Sequence, residues 1–325
     1  MRVAVVGAGA IGAFVGASLA RGGSEVTLIA RGAHLRAMQD DGVRVVSDEG
    51  EFTAHPLATD DFAAIADADV AFVALKAHTL PALAPEIARH LRPGATTVWG
   101  QNGIPWWYFL EERGALEGTT LESVDPSGAI WGSIDHASVV GCIVYCATEI
   151  VAPGVIRHVE GTRFTIGEPD GSRSPRCEEL AAAFAAGGLR APVEARLRDQ
   201  IWLKLLGNAS FNPITALTGS TLGELGELPE MLDLLRELFR EIAAVASALG
   251  VTFPVSLDRR LRAGIAVGDH KTSMLQDLEA GKPLESDCMA GAVIELAQRL
   301  GIAVPRLQAV QALVTQLDRV RALRR

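Results

Sequence analysis

Three glycines near the N-terminus, Gly7, Gly9 and Gly12, have the spacing Gly-x-Gly-x-x-Gly. A short run of aliphatic residues precedes them and an apolar helical pattern follows, which is the order of a dinucleotide-binding strand, turn and helix. In such a unit Gly7 permits the tight turn, Gly9 lets the backbone approach a phosphate, and Gly12 lets the helix lie close to the strand. The N–H groups at the start of the helix would then bind a pyrophosphate.

The end of the next predicted strand, residues 25–30, indicates which dinucleotide is bound. A carboxylate at this position accepts a hydrogen bond from the ribose 2′-hydroxyl of NAD, whereas an arginine suits the 2′-phosphate of NADP. The chain has Arg31 here, in the sequence Ala30-Arg31-Gly32, and no carboxylate. We therefore expect NADP(H) as the cofactor, and the alternative is that Arg31 is a solvated surface residue.

A polar stripe in the second half of the chain consists of Lys204, Asn208 and Asn212, spaced four residues apart. In a continuous helix over residues 197–216 this spacing puts the side chains on one face. Asparagine is a poor helix former, and a solvated helix face more often carries Glu, Lys and Arg. The stripe therefore predicts a functional site, with a buried structural network of amides as the alternative.

A second polar segment spans residues 270–277 and 281–287 and contains Ser273 and Glu285. Ser286 and Asp287 lie near a predicted helix start and are explained by a capping role. Ser273 and Glu285 therefore remain the candidates for function in this segment.

The elements that position these residues change character along the chain. Apolar strands are predicted at residues 69–75 and 96–99, so Lys76 and Asn102 follow strand ends at the edge where open α/β sheets bind ligands. Further strands are predicted at residues 138–147, 153–158, 163–167 and 189–193, and long amphipathic helices at 197–216, 230–249, 284–300 and 306–323. The predicted fold class is α/β, with an N-terminal Rossmann-type doubly wound sheet in residues 1–193 and a C-terminal all-helical domain in residues 194–325.

An aromatic run, Trp106-Trp107-Tyr108-Phe109, stands out in a chain that is only 5% aromatic. Four consecutive side chains are not expected to face one core, so part of the run is predicted to line a pocket or an interface. Packing of the run in the core is left equally open. Residues 111–136 after it are expected to hold an extra strand and a loop.

Composition and charge exclude several classes of protein. A length of 325 residues predicts two domains, and 49% hydrophobic with 21% charged residues is typical of a globular protein. The net charge of −9 argues against nucleic acid or an anionic membrane as partner. The uncharged residues 3–20 could be a signal peptide or a membrane helix, but their repeated glycines argue against both. The four cysteines lack the spacing of a metal site, so no metal and a reducing, cytoplasmic location are expected.

The chain resembles the ketopantoate reductase (2-dehydropantoate 2-reductase) family over essentially its whole length. The matching motifs are Gly7-x-Gly9-x-x-Gly12, Arg31, Leu75-Lys76, Gln101-Asn102-Gly103, Lys204-x-x-x-Asn208-x-x-x-Asn212-Pro213, Ser273-Met274-x-x-Asp277 and Glu285-x-Asp287-x-x-x-Gly291. Several motifs in the same order are far more specific than any one of them.

The resemblance implies an oxidoreductase in which NADPH reduces the 2-keto group of ketopantoate to (R)-pantoate, a step of pantothenate and coenzyme A biosynthesis. By the family pattern Lys204 is the proton donor, which suits a cation placed where negative charge develops on oxygen. The implied substrate-binding residues are Asn102, Lys204, Asn208, Asn212 and Ser273. The implied cofactor-binding residues are Gly7, Ala8, Gly9, Ala10, Ile11, Gly12, Arg31, Lys76, Asn102, Ala147 and Glu285. A homodimer is compatible with this reading.

Three departures affect the expected substrate pocket. Leu222, His270 and Ala290 stand where the family has, or often has, asparagine. The pocket is therefore expected to be more apolar, and a related 2-keto acid reductase or D-2-hydroxy acid dehydrogenase is the alternative function. A non-enzymatic NADP-binding redox sensor is a further alternative, which the presence of Lys204 disfavours.

Overall fold

The computed structural model describes residues 1–324, and the chain divides into two compact units whose segments interleave in the sequence. Unit 1 contains Met1–Gln101, Trp106–Thr120 and Ser127–Leu197. Unit 2 contains Asn102–Pro105, Leu121–Pro126 and the described chain from Arg198 onward. Strands occur in unit 1 and unit 2 is helical, so the predicted α/β class with a helical C-terminal region is confirmed. The predicted domain boundary between residues 193 and 194 stays a prediction.

Unit 1 is built on one nine-stranded sheet. Its strands are β1 (Arg2–Val6), β2 (Glu25–Ile29), β3 (Val43–Ser47), β4 (Gly50–Ala54), β5 (Leu57–Thr59), β6 (Val70–Val73), β7 (Thr96–Trp99), β8 (Val139–Ala152) and β9 (Val155–Gly167). Its helices are α1 (Ala10–Arg21), α2 (Gly32–Asp41), α3 (Leu80–His90) and α4 (Pro175–Ala186). The strand order is β4-β3-β9-β8-β7-β6-β1-β2-β5, and β8-β7-β6-β1-β2-β5 run parallel.

The centre of the sheet consists of β1, β6 and β7, whose residues are buried apart from Arg2. Strands covered on both faces have continuous apolar sequences, and these strands show that pattern. Val73 pairs with Val6 on one side and with Trp99 on the other, so the strands end at the same level. Their carboxyl ends therefore form one edge of the sheet, followed by Gly7, Ala74 and Gly100.

The last strands of the sheet differ from the prediction. Residues 153–158 and 163–167 were predicted as two separate strands, but the single strand β9 runs through both and pairs antiparallel with β8. The tight turn lies at Pro153 and Gly154, between the strands. Gly161 has a φ of +74°, which kinks β9 at a point where the sequence resembles a turn. Residues 189–193 form only isolated bridges to β9 and not a strand.

The aromatic run at residues 106–109 is buried in unit 1, which agrees with packing in the core, one of the two alternatives that the sequence left open. Trp106, Trp107, Tyr108 and Phe109 are between 1% and 4% exposed. The segment is a series of turns, and consecutive side chains therefore point in different directions within unit 1. The indole of Trp106 packs edge-on against Trp99 with ring centroids 5.2 Å apart. No strand occurs in residues 111–136, which hold turns and short 3-10 segments.

Unit 2 is formed by helices α5 (Leu197–Asn208), α6 (Phe211–Thr218), α7 (Pro229–Ala248), α8 (Leu257–Ile265), α9 (Ser273–Glu279), α10 (Ala292–Leu300) and α11 (Pro305–Leu323). A π-helical turn at Asp287–Gly291 precedes α10, so the helix predicted at 284–300 begins later than expected. Within residues 1–324 no helix combines the length and the apolar character that crossing a membrane requires.

The helix predicted at residues 197–216 is broken into α5 and α6, and this prediction is wrong. Pro213 lies in the first turn of α6, where its missing N–H costs nothing. In a continuous helix its ring would collide with the carbonyl of Ala209, and the chain bends at this position. Lys204 and Asn208 therefore share α5, whereas Asn212 belongs to α6.

Candidate functional site

The phosphate loop, residues 7–12, connects β1 to α1 in unit 1. Gly7 has a φ of +96°, and a Cβ there would lie 2.8 Å from Cδ2 of Leu75, so only glycine fits. A Cβ on Gly12 would overlap the carbonyl oxygen of Gly7, because α1 lies against the loop. The N–H of Ala8 donates to the carbonyl of Ile29 at 2.9 Å, which attaches the loop to β2.

The start of α1 fits the diphosphate of a dinucleotide. Gly9 is its N-cap, no side chain caps the first turn, and that turn contains no acidic residue. A Cβ on Gly9 would meet nothing within 4 Å, so the loop borders open space where a glycine motif needs room for a phosphate. The uncapped N–H groups and the positive end of the helix dipole both favour an anion here. The residues present therefore fit the implied cofactor.

Other residues predicted to contact the cofactor lie at the edge of the same sheet. Arg31 is exposed directly after β2 and is the N-cap of α2, whose first turn lacks an acidic residue. Lys76 is half-buried after β6 and begins a short 3-10 turn. Gln101 donates from Nε2 to the carbonyl of Val73 at 2.9 Å, which fixes the loop after β7. Arg31 and Lys76 thus come after β2 and β6, the two strands that flank β1 and its phosphate loop.

Ala147 lies on β8, where the pairing with β9 shifts register on both sides of it. It is half-buried, opposite Glu160. A shifted register leaves backbone groups without their usual ladder partners, which suits a backbone contact to a ligand. Its proposed contact with the cofactor stays a prediction.

Asn102 belongs to unit 2, where the segment Asn102–Pro105 is held against the π-helical turn. The N–H of Ile104 donates to the carbonyl of Cys288 at 2.8 Å. Gly103 has a φ of +83°, and a Cβ on it would overlap that same carbonyl oxygen. The close approach requires glycine at this position and fixes the direction of the neighbouring Asn102.

Lys204 and Asn102 are joined by a direct hydrogen bond in unit 2. Nζ of Lys204 donates to Oδ1 of Asn102 at 2.7 Å. Lys204 is half-buried on α5 between the buried residues Trp202 and Leu205. A partly desolvated ammonium held by an amide oxygen is a cation of defined position, and it can donate a hydrogen bond or a proton to a ligand oxygen.

Asn212 and Ser273 form a second pair in unit 2, between α6 and α9. Nδ2 of Asn212 donates to Oγ of Ser273 at 3.4 Å and also contacts Sδ of Met289 at 3.8 Å. Asn212 is buried, whereas Ser273 is exposed. Oγ atoms of Thr215 and Thr272 share a hydrogen bond of 2.6 Å, which ties the same helices together. Asn208 lies half-buried at the end of α5 and, contrary to the prediction, on a different helix from Asn212.

Glu285 is buried, with 8% of its surface exposed, immediately before the π-helical turn of unit 2. Its carbonyl accepts a hydrogen bond from Sγ of Cys288 at 3.7 Å. Its contact with the cofactor stays a prediction.

Sequence reasoning missed His34 and Met289. His34 bonds to the turn between β8 and β9, and Met289 contacts the amide of Asn212. The contact of His34 joins positions that are 120 residues apart in the sequence, so no local pattern could indicate it. Met289 lies inside the motif Glu285-x-Asp287-x-x-x-Gly291, but methionine is a common core residue, so its residue type gave no signal of a contact with Asn212.

Comparisons with known proteins agree over the whole chain. Residues 3–171 match the family description "Ketopantoate reductase PanE/ApbA" and residues 196–318 match "Ketopantoate reductase PanE/ApbA C terminal". A 2-dehydropantoate 2-reductase of Mesorhizobium japonicum is 46% identical over 98% of each chain. Another from Halobacterium salinarum is 33% identical over 98% of this chain and 99% of that protein. A solved PanE/ApbA family ketopantoate reductase from Ralstonia eutropha is 29% identical, with a TM-score of 0.85 over 99% of this chain and all of its own.

Proposed function

The chain belongs to the ketopantoate reductase family, and we propose that it reduces the 2-keto group of ketopantoate to (R)-pantoate with NADPH. It is an oxidoreductase that acts on a CH–OH group. The observation that carries the proposal is the hydrogen bond between Lys204 and Asn102, which gives a cation a defined place for a carbonyl oxygen. When bound, NADPH supplies the hydride. The residues of the chain bind the substrate and the cofactor, orient them, and protonate the carbonyl oxygen of the substrate.

Lys204 is proposed as the proton donor. Its ammonium group would donate a hydrogen bond to the C2 carbonyl oxygen of the substrate and make that carbon more electrophilic. As negative charge develops on this oxygen, the fixed ammonium stabilises it and then transfers a proton, leaving the hydroxyl of the product. Asn102 keeps the ammonium in place by accepting from Nζ at 2.7 Å, and it is also proposed to contact the cofactor.

Asn208, Asn212 and Ser273 are proposed to bind the polar groups of the substrate. An amide N–H can donate to a carboxylate, and a serine hydroxyl can donate or accept with a substrate hydroxyl. The bond of 3.4 Å from Asn212 leaves the hydroxyl proton of Ser273 free to turn toward a ligand. Together with Lys204 these groups would fix a 2-keto acid by its carboxylate and carbonyl.

The cofactor is proposed to bind through its diphosphate at the phosphate loop. Arg31 and Lys76 would hold the adenosine end of the cofactor, and an exposed arginine after β2, in place of a carboxylate, suits the 2′-phosphate of NADP. Glu285 and the backbone of Ala147 complete the proposed contacts. The proposal further places the enzyme in the cytoplasm, in pantothenate synthesis, and allows a homodimer.

A second candidate is a related 2-keto acid reductase, or a D-2-hydroxy acid dehydrogenase that works in the oxidative direction. An apolar side chain adjoins one of the proposed substrate groups, because Sδ of Met289 contacts Nδ2 of Asn212 at 3.8 Å. An apolar surrounding favours a substrate whose side chain lacks a hydroxyl group.

The test is the loss of NADPH absorbance with ketopantoate, beside a panel of branched and aromatic 2-keto acids. The proposal expects ketopantoate to have the highest kcat/KM, with (R)-pantoate identified as product. Turnover of other members of the panel without turnover of ketopantoate would refute ketopantoate as the substrate and support the second candidate. Absence of turnover with every acid, in both directions and with both cofactors, would refute both.

A further inference from the structure

His34 joins α2 to the turn between β8 and β9 in unit 1. Nδ1 of its ring accepts a hydrogen bond from the N–H of Gly154 at 2.9 Å. Gly154 has a φ of +74°, and a Cβ on it would lie 3.1 Å from Cβ of Ala37 on the same helix. The turn therefore lies directly against α2, and the ring of His34 fixes it there.

The hydrogen bond to Gly154 determines the tautomer of the ring. A nitrogen that accepts cannot carry a proton, so the neutral ring carries its proton on Nε2. Burial lowers the pKa of His34, although the backbone of Ala8 opposes this effect by favouring the charged ring. The neutral ring with a proton on Nε2 is therefore the form present near neutral pH.

The second nitrogen of the ring, Nε2, makes no hydrogen bond in the described part of this structure. Nε2 of His34 is buried and has no hydrogen-bond partner within residues 1–324. The phosphate loop lies beside the start of α2, because the N–H groups of Gly7 and Ala8 both donate to the carbonyl of Ile29, three residues before that helix begins. The carbonyl of Ala8 acts on the ring as an acceptor, and Nε2 is the nitrogen available to it because Nδ1 accepts from Gly154. Ala8 lies between Gly7 and Gly9, at the centre of the loop that fits a diphosphate. A buried N–H without an acceptor is costly, so a ligand that draws the loop toward the ring gains the free energy of the missing hydrogen bond.

We propose that His34 is a positioning residue for cofactor binding, whose Nε2–H closes a hydrogen bond to the Ala8 carbonyl when the phosphate loop binds the cofactor diphosphate. The inference rests on the proposed function, since it requires a dinucleotide at this loop. Nδ1 keeps its bond to Gly154 in both states and serves as the fixed anchor. A bond made only in the bound state adds to cofactor affinity and not to the stability of the free protein.

Two conservative substitutions distinguish the roles of the two ring nitrogens of His34. Asparagine places its amide oxygen near the position of Nδ1, so His34→Asn keeps an acceptor for Gly154 and loses the donor to Ala8. Glutamine places its amide nitrogen near the position of Nε2, so His34→Gln keeps the donor and loses the acceptor. Each variant is measured for NADPH affinity by titration calorimetry and for thermal unfolding without cofactor.

The inference predicts opposite effects of the two variants on thermal stability and on NADPH affinity. His34→Asn should unfold near the wild-type Tm but bind NADPH about threefold to tenfold more weakly, the effect of one lost hydrogen bond. His34→Gln should unfold at a lower Tm and bind NADPH with close to wild-type affinity. In steady-state kinetics His34→Asn should raise the KM for NADPH and leave kcat and the KM for the 2-keto acid unchanged.

His90→Asn is the matched control, because His90 also lies on a helix of unit 1 and its Nδ1 contacts Glu86 of the same helix, at 2.9 Å from the carbonyl oxygen and 3.4 Å from the carboxylate. It should change neither affinity nor kinetics. The inference would be overturned if His34→Asn bound NADPH with wild-type affinity. It would also be overturned if the loss of NADPH affinity paralleled the loss of Tm in both variants. In either case NADPH binding by the wild type would still support the proposed function. Failure of the wild type to bind NADPH would overturn both.

Discussion

Nζ of Lys204 donates to Oδ1 of Asn102 at 2.7 Å, although 102 positions separate the residues in the sequence. Asn102 can reach Lys204 because Gly103, with its positive φ, and the N–H of Ile104 hold the segment against Cys288. The position of the proposed proton donor thus depends on a short segment that belongs to unit 2 despite lying far earlier in the chain.

Asn102→Ala should lower kcat by about 10-fold to 100-fold, because the ammonium of Lys204 loses the charge-assisted hydrogen bond that fixes it. The measurement is steady-state NADPH oxidation with ketopantoate, together with thermal unfolding to confirm the fold. A variant with wild-type kcat would show that Lys204 does not need this amide.

Arg31→Ala should weaken NADPH binding by about 10-fold or more and leave NADH binding unchanged, because only NADPH carries the 2′-phosphate that the guanidinium is proposed to bind. Titration of the variant with each cofactor measures the preference directly. Arg36→Ala, an exposed arginine on the same helix, is the control and should alter neither affinity. Equal losses for NADPH and NADH in Arg31→Ala would contradict a role in selecting NADP.

Glu168→Gln should destabilise the protein by about 2 kcal/mol near neutral pH, because it removes the charge that Arg176 pairs with. The carboxylate is 6% exposed, accepts from Nε of Arg176 at 2.7 Å and is also bonded to Ser174. Burial alone would raise the pKa of Glu168, but the hydrogen bonds from Arg176 and Ser174 outweigh it and lower the pKa.

A lowered pKa means that this stabilisation is present at neutral pH and is lost as the pH falls below the ordinary value of 4.5, through the pKa of the folded state. Urea unfolding is measured near neutral pH and at about pH 4. The free energy of unfolding should therefore decrease less between these pH values in Glu168→Gln than in the wild type. Glu178→Gln, whose carboxylate pairs with Arg173 at the exposed surface, should change stability little at either pH. If Glu168→Gln lost as much unfolding free energy as the wild type between neutral pH and about pH 4, protonation of Glu168 would not be the cause of the loss.

Patterns that arise within one element were predicted from the sequence. The glycine spacing located the phosphate loop, and the uninterrupted apolar runs located β6 and β7, because a buried parallel strand leaves a continuous apolar signature. The four-residue spacing failed at Asn212, since a new helix begins at Phe211 with Pro213 in its first turn, and residues 204–212 therefore do not share one helix face. The sequence left the place of the aromatic run open, because a chain that turns at every step can bury consecutive side chains, whereas a strand or a helix cannot.

Contacts between distant positions could not be predicted in this way. The bonds from Lys204 to Asn102 and from Gly154 to His34 depend on the tertiary fold and leave no mark in local spacing. Family resemblance supplied Asn102 and Lys204 as candidates, but it did not indicate that they touch, and it supplied no role for His34.

The most direct measurement of the proposed chemistry is the turnover of Lys204→Ala with NADPH and ketopantoate, accompanied by titration of the same variant with NADPH. We expect kcat to fall by about 100-fold to 10,000-fold, the usual effect of removing a general acid, with little change in the dissociation constant for NADPH. Lys271→Ala, which removes an exposed lysine paired with Glu279, is the control and should retain wild-type kcat. Undiminished turnover in Lys204→Ala would contradict the assignment of Lys204 as the proton donor.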